Sequence, residues 1–140
     1  MGAWGTRTFE CDSALDFFSD FCESQENVAA LEAAFDAVLQ NEDYIDADVA
    51  TDALASAEII AYVKGHPSED FPSEELHQPF LPVESLTHYL NDALIDKAIK
   101  AVKKVKEAPY SELRELWEEA DEYYAEWQAV MDDLMQRVGR

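Results

Sequence analysis

The chain has 140 residues, enough for one domain with a real hydrophobic core and too few for two of ordinary size. Thirty-one Asp and Glu against ten Lys and Arg give a formal charge of −21, which opposes direct binding to DNA, RNA or anionic lipid. Apolar residues still make up 48% of the chain, so it is not a disordered acidic tail, and four Gly with five Pro exclude collagen-like and low-complexity classes.

Residues 1–10 set Met1, Trp4 and Phe9 around two glycines, an ordered, non-helical lead-in with Trp4 expected as an aromatic plug. No basic stretch followed by an apolar one opens the chain, and no run of about 18 apolar residues occurs. Neither a signal peptide nor a membrane span is therefore expected, and the cytoplasm is the expected compartment. Asp12 caps a first helix at 12–23, where Ala14, Phe17, Phe18 and Phe21 recur at helical spacing. On that helix Cys11 and Cys22 stand roughly 16 Å apart, beyond disulfide reach. A second helix at 25–40 carries Val28, Leu31, Phe35, Val38 and Leu39 as its apolar stripe. The third, at 47–64, is rich in alanine, with Ala50, Ala53, Leu54, Ala57, Ile60 and Ala61 facing inward. Gly65 and Pro67 end it.

Residues 65–83 hold four of the five prolines, and Phe71, Leu76, Phe80 and Leu81 there need cover, which predicts a wrapping loop inside the domain. A fourth helix runs over 83–107, and Pro109 follows it. Ser111 caps a fifth helix of about 26 residues. Its Trp117, Tyr124 and Trp127 share one stripe with leucines and belong to the core, while Tyr123 points elsewhere. The prediction is an all-α single domain, residues 1–140, of about five helices.

Three blocks of residues look familiar. They are Met1-Gly-Ala-Trp-Gly-Thr6 with Phe9, Glu10 and Asp12; Tyr44-Ile-Asp-Ala-Asp48 followed by Ala53-Leu-Ala-Ser-Ala-Glu-Ile-Ile-Ala61; and Ser111-Glu-Leu-Arg-Glu-Leu-Trp-Glu-Glu119 with Trp127. Together they resemble the bacterial family called domain of unknown function 4259, over nearly the whole chain. The resemblance implies a small, helical, cytoplasmic bacterial protein and brings no activity with it.

The distribution of charge says more than its total. Between Thr8 and Val63 stand fourteen acids and not one Lys, Arg or His, whereas five of the six lysines fall between Lys97 and Lys106. Such a lysine segment is expected to face an acidic helix and offset part of the repulsion. Asp16, Asp20, Glu23, Glu32 and Asp36 lie off the apolar stripes of the first two helices, which predicts a solvated acidic face for a basic partner. Glu42, Asp43, Asp46, Asp48 and Asp52 form the densest acid cluster and are weak candidates for a Ca²⁺ or Mg²⁺ site. An EF-hand loop starting at Asp46 needs Gly at its sixth position and Glu at its twelfth; Thr51 and Ala57 stand there, so that loop is rejected.

Glu74 and His77 make one Glu-x-x-His pair, where di-metal bundles need two. No nucleophile elbow, phosphate loop, zinc spacing or Cys-x-x-Cys is present, so no catalytic residue and no cofactor is expected. The leading expectation is an acidic binding or inhibitor protein, in its most concrete form an immunity protein that blocks a basic, nuclease-like toxin without touching nucleic acid or membrane. One alternative is a metal-binding or enzymatic helical domain built on the Glu42–Asp52 acids. Another is a generic interaction domain whose acidity reflects its host.

Overall fold

The computed structural model describes residues 5–23, 27–72 and 83–140. Among these, seven helices form and no strand: α1 (Asp12–Glu23), α2 (Asn27–Leu39), α3 (Ala47–Val63), α4 (Val83–Tyr89), α5 (Asp92–Glu107), α6 (Glu112–Glu119) and α7 (Asp121–Gly139). The all-α expectation holds. Trp4, Glu74, Leu76, His77, Phe80 and Leu81 lie outside the described residues.

The alanine-rich α3 is the centre. It packs against all six other helices. The sequence assigns it one inward face, yet Ala55, Ser56, Glu58 and Ile59 are buried along with Ala53, Leu54 and Ala57. A helix apolar all round is a core helix, and alanine lets neighbouring backbones approach on every side. Asp46 caps its start, accepting from the Asp48 amide at 3.1 Å. At its end Gly65 adopts φ +90°, His66 N–H donates to Ala61 O at 2.8 Å and Gly65 N–H to Tyr62 O at 2.9 Å. This is the paired closure that glycine permits after a helix.

Two long helices of the sequence reading are each two helices. The predicted 83–107 helix breaks at Asn91, whose extended backbone (φ −134°, ψ 169°) starts α5 afresh while its side chain accepts from Leu94 N–H at 2.8 Å. The predicted 26-residue helix breaks at Ala120 (φ −87°, ψ 55°), which closes α6 and opens α7. Unbroken, that helix would be about 39 Å long. The break re-aims the chain so that both Trp117 and Trp127 enter the core. Tyr124 stacks on Trp127 at 6.3 Å, and Tyr123 is exposed, as the spacing predicts.

Phe71, from the described start of the proline-rich segment, is buried and stacks on Tyr62 at 4.5 Å. It meets Phe9 and Phe18 edge-on at 5.4 and 5.3 Å, which ties the lead-in, α1, α3 and the 65–72 segment together. A clasp joins the starts of α3 and α6. Ile45 pairs with the backbone around Ser111 through Ile45 N–H to Tyr110 O and Glu112 N–H to Ile45 O, both 2.9 Å. The Glu112 carboxylate accepts from Ala47 N–H at 2.7 Å and from the Tyr44 hydroxyl, which holds that phenol up at about 12. Neither cysteine forms a disulfide, and Cys22 is buried.

Candidate functional site

Lysines pair with a few of the surface acids and leave others unpaired among the described residues. Lys97 on α5 reaches Asp36 at 2.9 Å and Glu32 at 3.5 Å on α2. Lys106 pairs with Asp132 on α7 at 2.7 Å. Lys104 spends its ammonium on the carbonyls at the end of α2, donating to Leu39 O at 3.0 Å and Asn41 O at 2.6 Å. Lys64 donates to the Val138 carbonyl. The lysine segment thus faces acidic helices as its position implies, and Glu32 and Asp36 are engaged rather than free.

Asp16, Asp20 and Glu23 are exposed on α1, and among the described residues no Lys or Arg pairs with any of them. The acids at the start of α3 continue this surface. Asp48 accepts from Ser13 Oγ at 3.2 Å, linking α1 to α3. Asp52, half-buried one turn further, has its carboxyl pushed up to about 6 by burial and then by the negative charges of Asp48 and Asp20. Glu42 and Asp43 are exposed in the preceding turn. Among the described residues no three His, Cys, Asp or Glu side chains converge as a metal site would require. The bare acidic ridge therefore runs over α1 and the start of α3, not over α1 and α2.

A second feature, absent from the sequence reading, lies on the far part of α3. Glu58 is 1% exposed, and its Oε1 meets Arg137 Nη1 of α7 as an ion pair at 2.7 Å. Arg137 also donates from Nε to Asp133 at 2.7 Å and from Nη1 to His66 O at 3.1 Å. Burial holds the Glu58 carboxyl above its ordinary range; Arg137 opposes the shift and Asp70 adds to it. Asp70 is anchored through Oδ2 by the Phe9 amide at 2.8 Å.

These groups line a cleft of about 210 Å³, with Arg7, Ser68 and Glu126 at its sides. Among the described residues, the buried side-chain oxygens Ser68 Oγ and Asp70 Oδ1 lack a hydrogen-bond partner. Both residues line this cleft. One signal for it was present: Glu58 is the only charge between Asp52 and Lys64 in an otherwise uncharged helical run.

No described helix is long and apolar enough to cross a membrane. Neither a curated protein nor a solved structure matches the chain significantly. Residues 2–130 match the family model described as "Domain of unknown function (DUF4259)", and the chain belongs to that family.

Proposed function

We propose that this protein is an acidic helical binding module that docks a basic protein through the ridge formed by α1 and the start of α3. The supporting observation is the placement of the cations. Lys97 meets Glu32 and Asp36 of α2 and Lys106 meets Asp132 of α7, while Asp16, Asp20 and Glu23 meet no lysine or arginine among the described residues. Un-neutralised carboxylates on a rigid helix repel one another unless a counter-charge arrives, and they raise the encounter rate of a basic surface. A nucleic-acid enzyme fits as partner because its site is already shaped for phosphates. An inhibitor or immunity role against such an enzyme is the concrete form of this reading.

Capture from the native host with the intact chain as bait should recover a basic protein whose association slows as salt rises. Charge reversal in Asp16→Lys/Asp20→Lys/Glu23→Lys should slow association by about tenfold or more, while Glu32→Gln/Asp36→Asn leaves it nearly unchanged. Salt-independent association, or equal effects of the two variants, would overturn the reading.

A further inference from the structure

The clasp that joins α3 to α6 holds an aromatic ring out in solvent. Tyr44 is 46% exposed, yet it is fixed at both ends. Its backbone leads into Ile45, which is fully buried and makes the two clasp hydrogen bonds to the chain around Ser111, both 2.9 Å. Its hydroxyl donates to the Glu112 carboxylate, which the Ala47 amide holds in turn at 2.7 Å. An exposed ring tied down in this way loses little freedom when a partner covers it, and tyrosine is among the residues that carry most of the energy of protein interfaces.

The charges around the ring say what should cover it. Asp46, Glu112 and Glu115 all act on the Tyr44 phenol with the same sign. Arg114, the one cation of α6, is paired with Glu118 at 3.1 Å. On the other side of the clasp the Tyr110 ring does have a cation. The Lys104 ammonium lies over it at 5.7 Å while donating to the Leu39 and Asn41 carbonyls. Tyr110 O accepts from Ile45 N–H, so one clasp holds a tyrosine capped by a cation and, next to Ile45, a tyrosine without one. Among the described residues no cation and no second ring lies on Tyr44. The face of an aromatic ring attracts cations, and carboxylates at its edge strengthen the attraction. Arginine suits this place better than lysine, because a planar guanidinium stacks on the ring while its N–H groups reach the carboxylates alongside.

We propose that Tyr44 anchors the basic partner: its ring receives an arginine side chain of that protein, whose guanidinium stacks on the phenol and donates to Glu112 or Glu115. This rests on the reading that the acids of α1 and the start of α3 dock a basic protein, and it names the contact made just before α3.

The test is a titration of the ¹⁵N-labelled full chain with acetyl-triarginine amide, followed by NMR, with acetyl-tricitrulline amide as the uncharged isostere. Triarginine should shift the amides of residues 42–47 and 112–115 saturably, and tricitrulline should not. Tyr44→Leu should weaken triarginine binding about threefold to fivefold, while Tyr44→Phe keeps the ring and should change it less than about twofold. Both variants lose the bond to Glu112, so the comparison reads the ring alone. Unchanged affinity in Tyr44→Leu, an equal loss in both variants, or identical responses to the two peptides would overturn the proposal. If Tyr44→Leu does not fold, nuclear Overhauser contacts between the arginine Hδ protons and the Tyr44 ring of the unsubstituted protein decide the matter, and their absence at saturation overturns it. The two readings fail separately. Shifts on α1 with none around Tyr44 keep the acidic ridge and discard the anchor, whereas shifts around Tyr44 that persist undiminished in Asp16→Lys/Asp20→Lys/Glu23→Lys uphold the anchor and discard the ridge.

Discussion

Replacing Arg137 with Met removes the cation that touches Glu58 and leaves a carboxylate 1% exposed inside the core. Breaking a buried pair from one side costs about 3–5 kcal/mol, because the remaining charge is left desolvated and unpaired. The lost contact to Asp133 adds little, since that side chain is 57% exposed. The donation to the His66 carbonyl adds about 1 kcal/mol, so Arg137→Met should cost about 4–6 kcal/mol. That is a large part of the 5–15 kcal/mol typical of a domain.

Urea denaturation at pH 7.5 measures the loss. A cycle with Glu58→Leu isolates the pair, since the double variant puts two apolar groups where two charges stood and should recover much of the loss. The pH dependence has a fixed sign. The folded state holds the Glu58 proton more tightly than the unfolded chain does, so ionising it costs stability as pH rises. Without Arg137 this cost grows, and the Arg137→Met deficit should shrink as pH falls from 7.5 towards 5. A loss below about 1 kcal/mol, or strictly additive single effects, would refute the buried-pair account.

Asp52→Asn should stabilise the protein by about 1 kcal/mol at pH 8, a value reduced for the group's partial exposure. Its carboxyl is raised from 3.8 to about 6, so ionisation costs folded stability above that range, and the gain should vanish below pH 4 in matched urea titrations. Lys104→Met strips the Leu39 and Asn41 carbonyls of their donor and should cost about 1–3 kcal/mol, with faster amide exchange at the end of α2. Asn91→Ala removes the α5 cap and should lower stability by about 1 kcal/mol, measurable as a shift in thermal midpoint.

Periodicity made the helices legible and local capping decided how many there are. The α1 stripe and the α3 terminator at Gly65 could be read directly, because residue spacing and a lone glycine act within a few positions. The breaks at Asn91 and Ala120 were not legible from the apolar stripes, which continue across both. Asn91 is a polar capper whose choice between cap and helix surface is settled by packing, and alanine at 120 is itself a good helix former.

The acidic surface was legible in amount and only half legible in place. Lys97 lies about sixty residues from Glu32 and Asp36, and only the packing of α5 on α2 reveals that it occupies them. The cleft was hidden for the same reason. Glu58 and Arg137 are buried and stand far apart in the chain, and their meeting with Asp70 depends on the packing of α7 on α3, which spacing does not encode.

The proposed docking surface requires un-neutralised negative charge on α1 and the start of α3 and not on the face of α2 that meets Lys97. A cationic nitroxide added to the ¹⁵N-labelled protein reads this without any partner, through paramagnetic relaxation of each amide at low and high salt. The salt-sensitive enhancement should be strongest around Asp16, Asp20, Glu23 and Asp48 and clearly weaker around Glu32 and Asp36, where Lys97 sits. Equal enhancement over α1 and α2 would contradict the account.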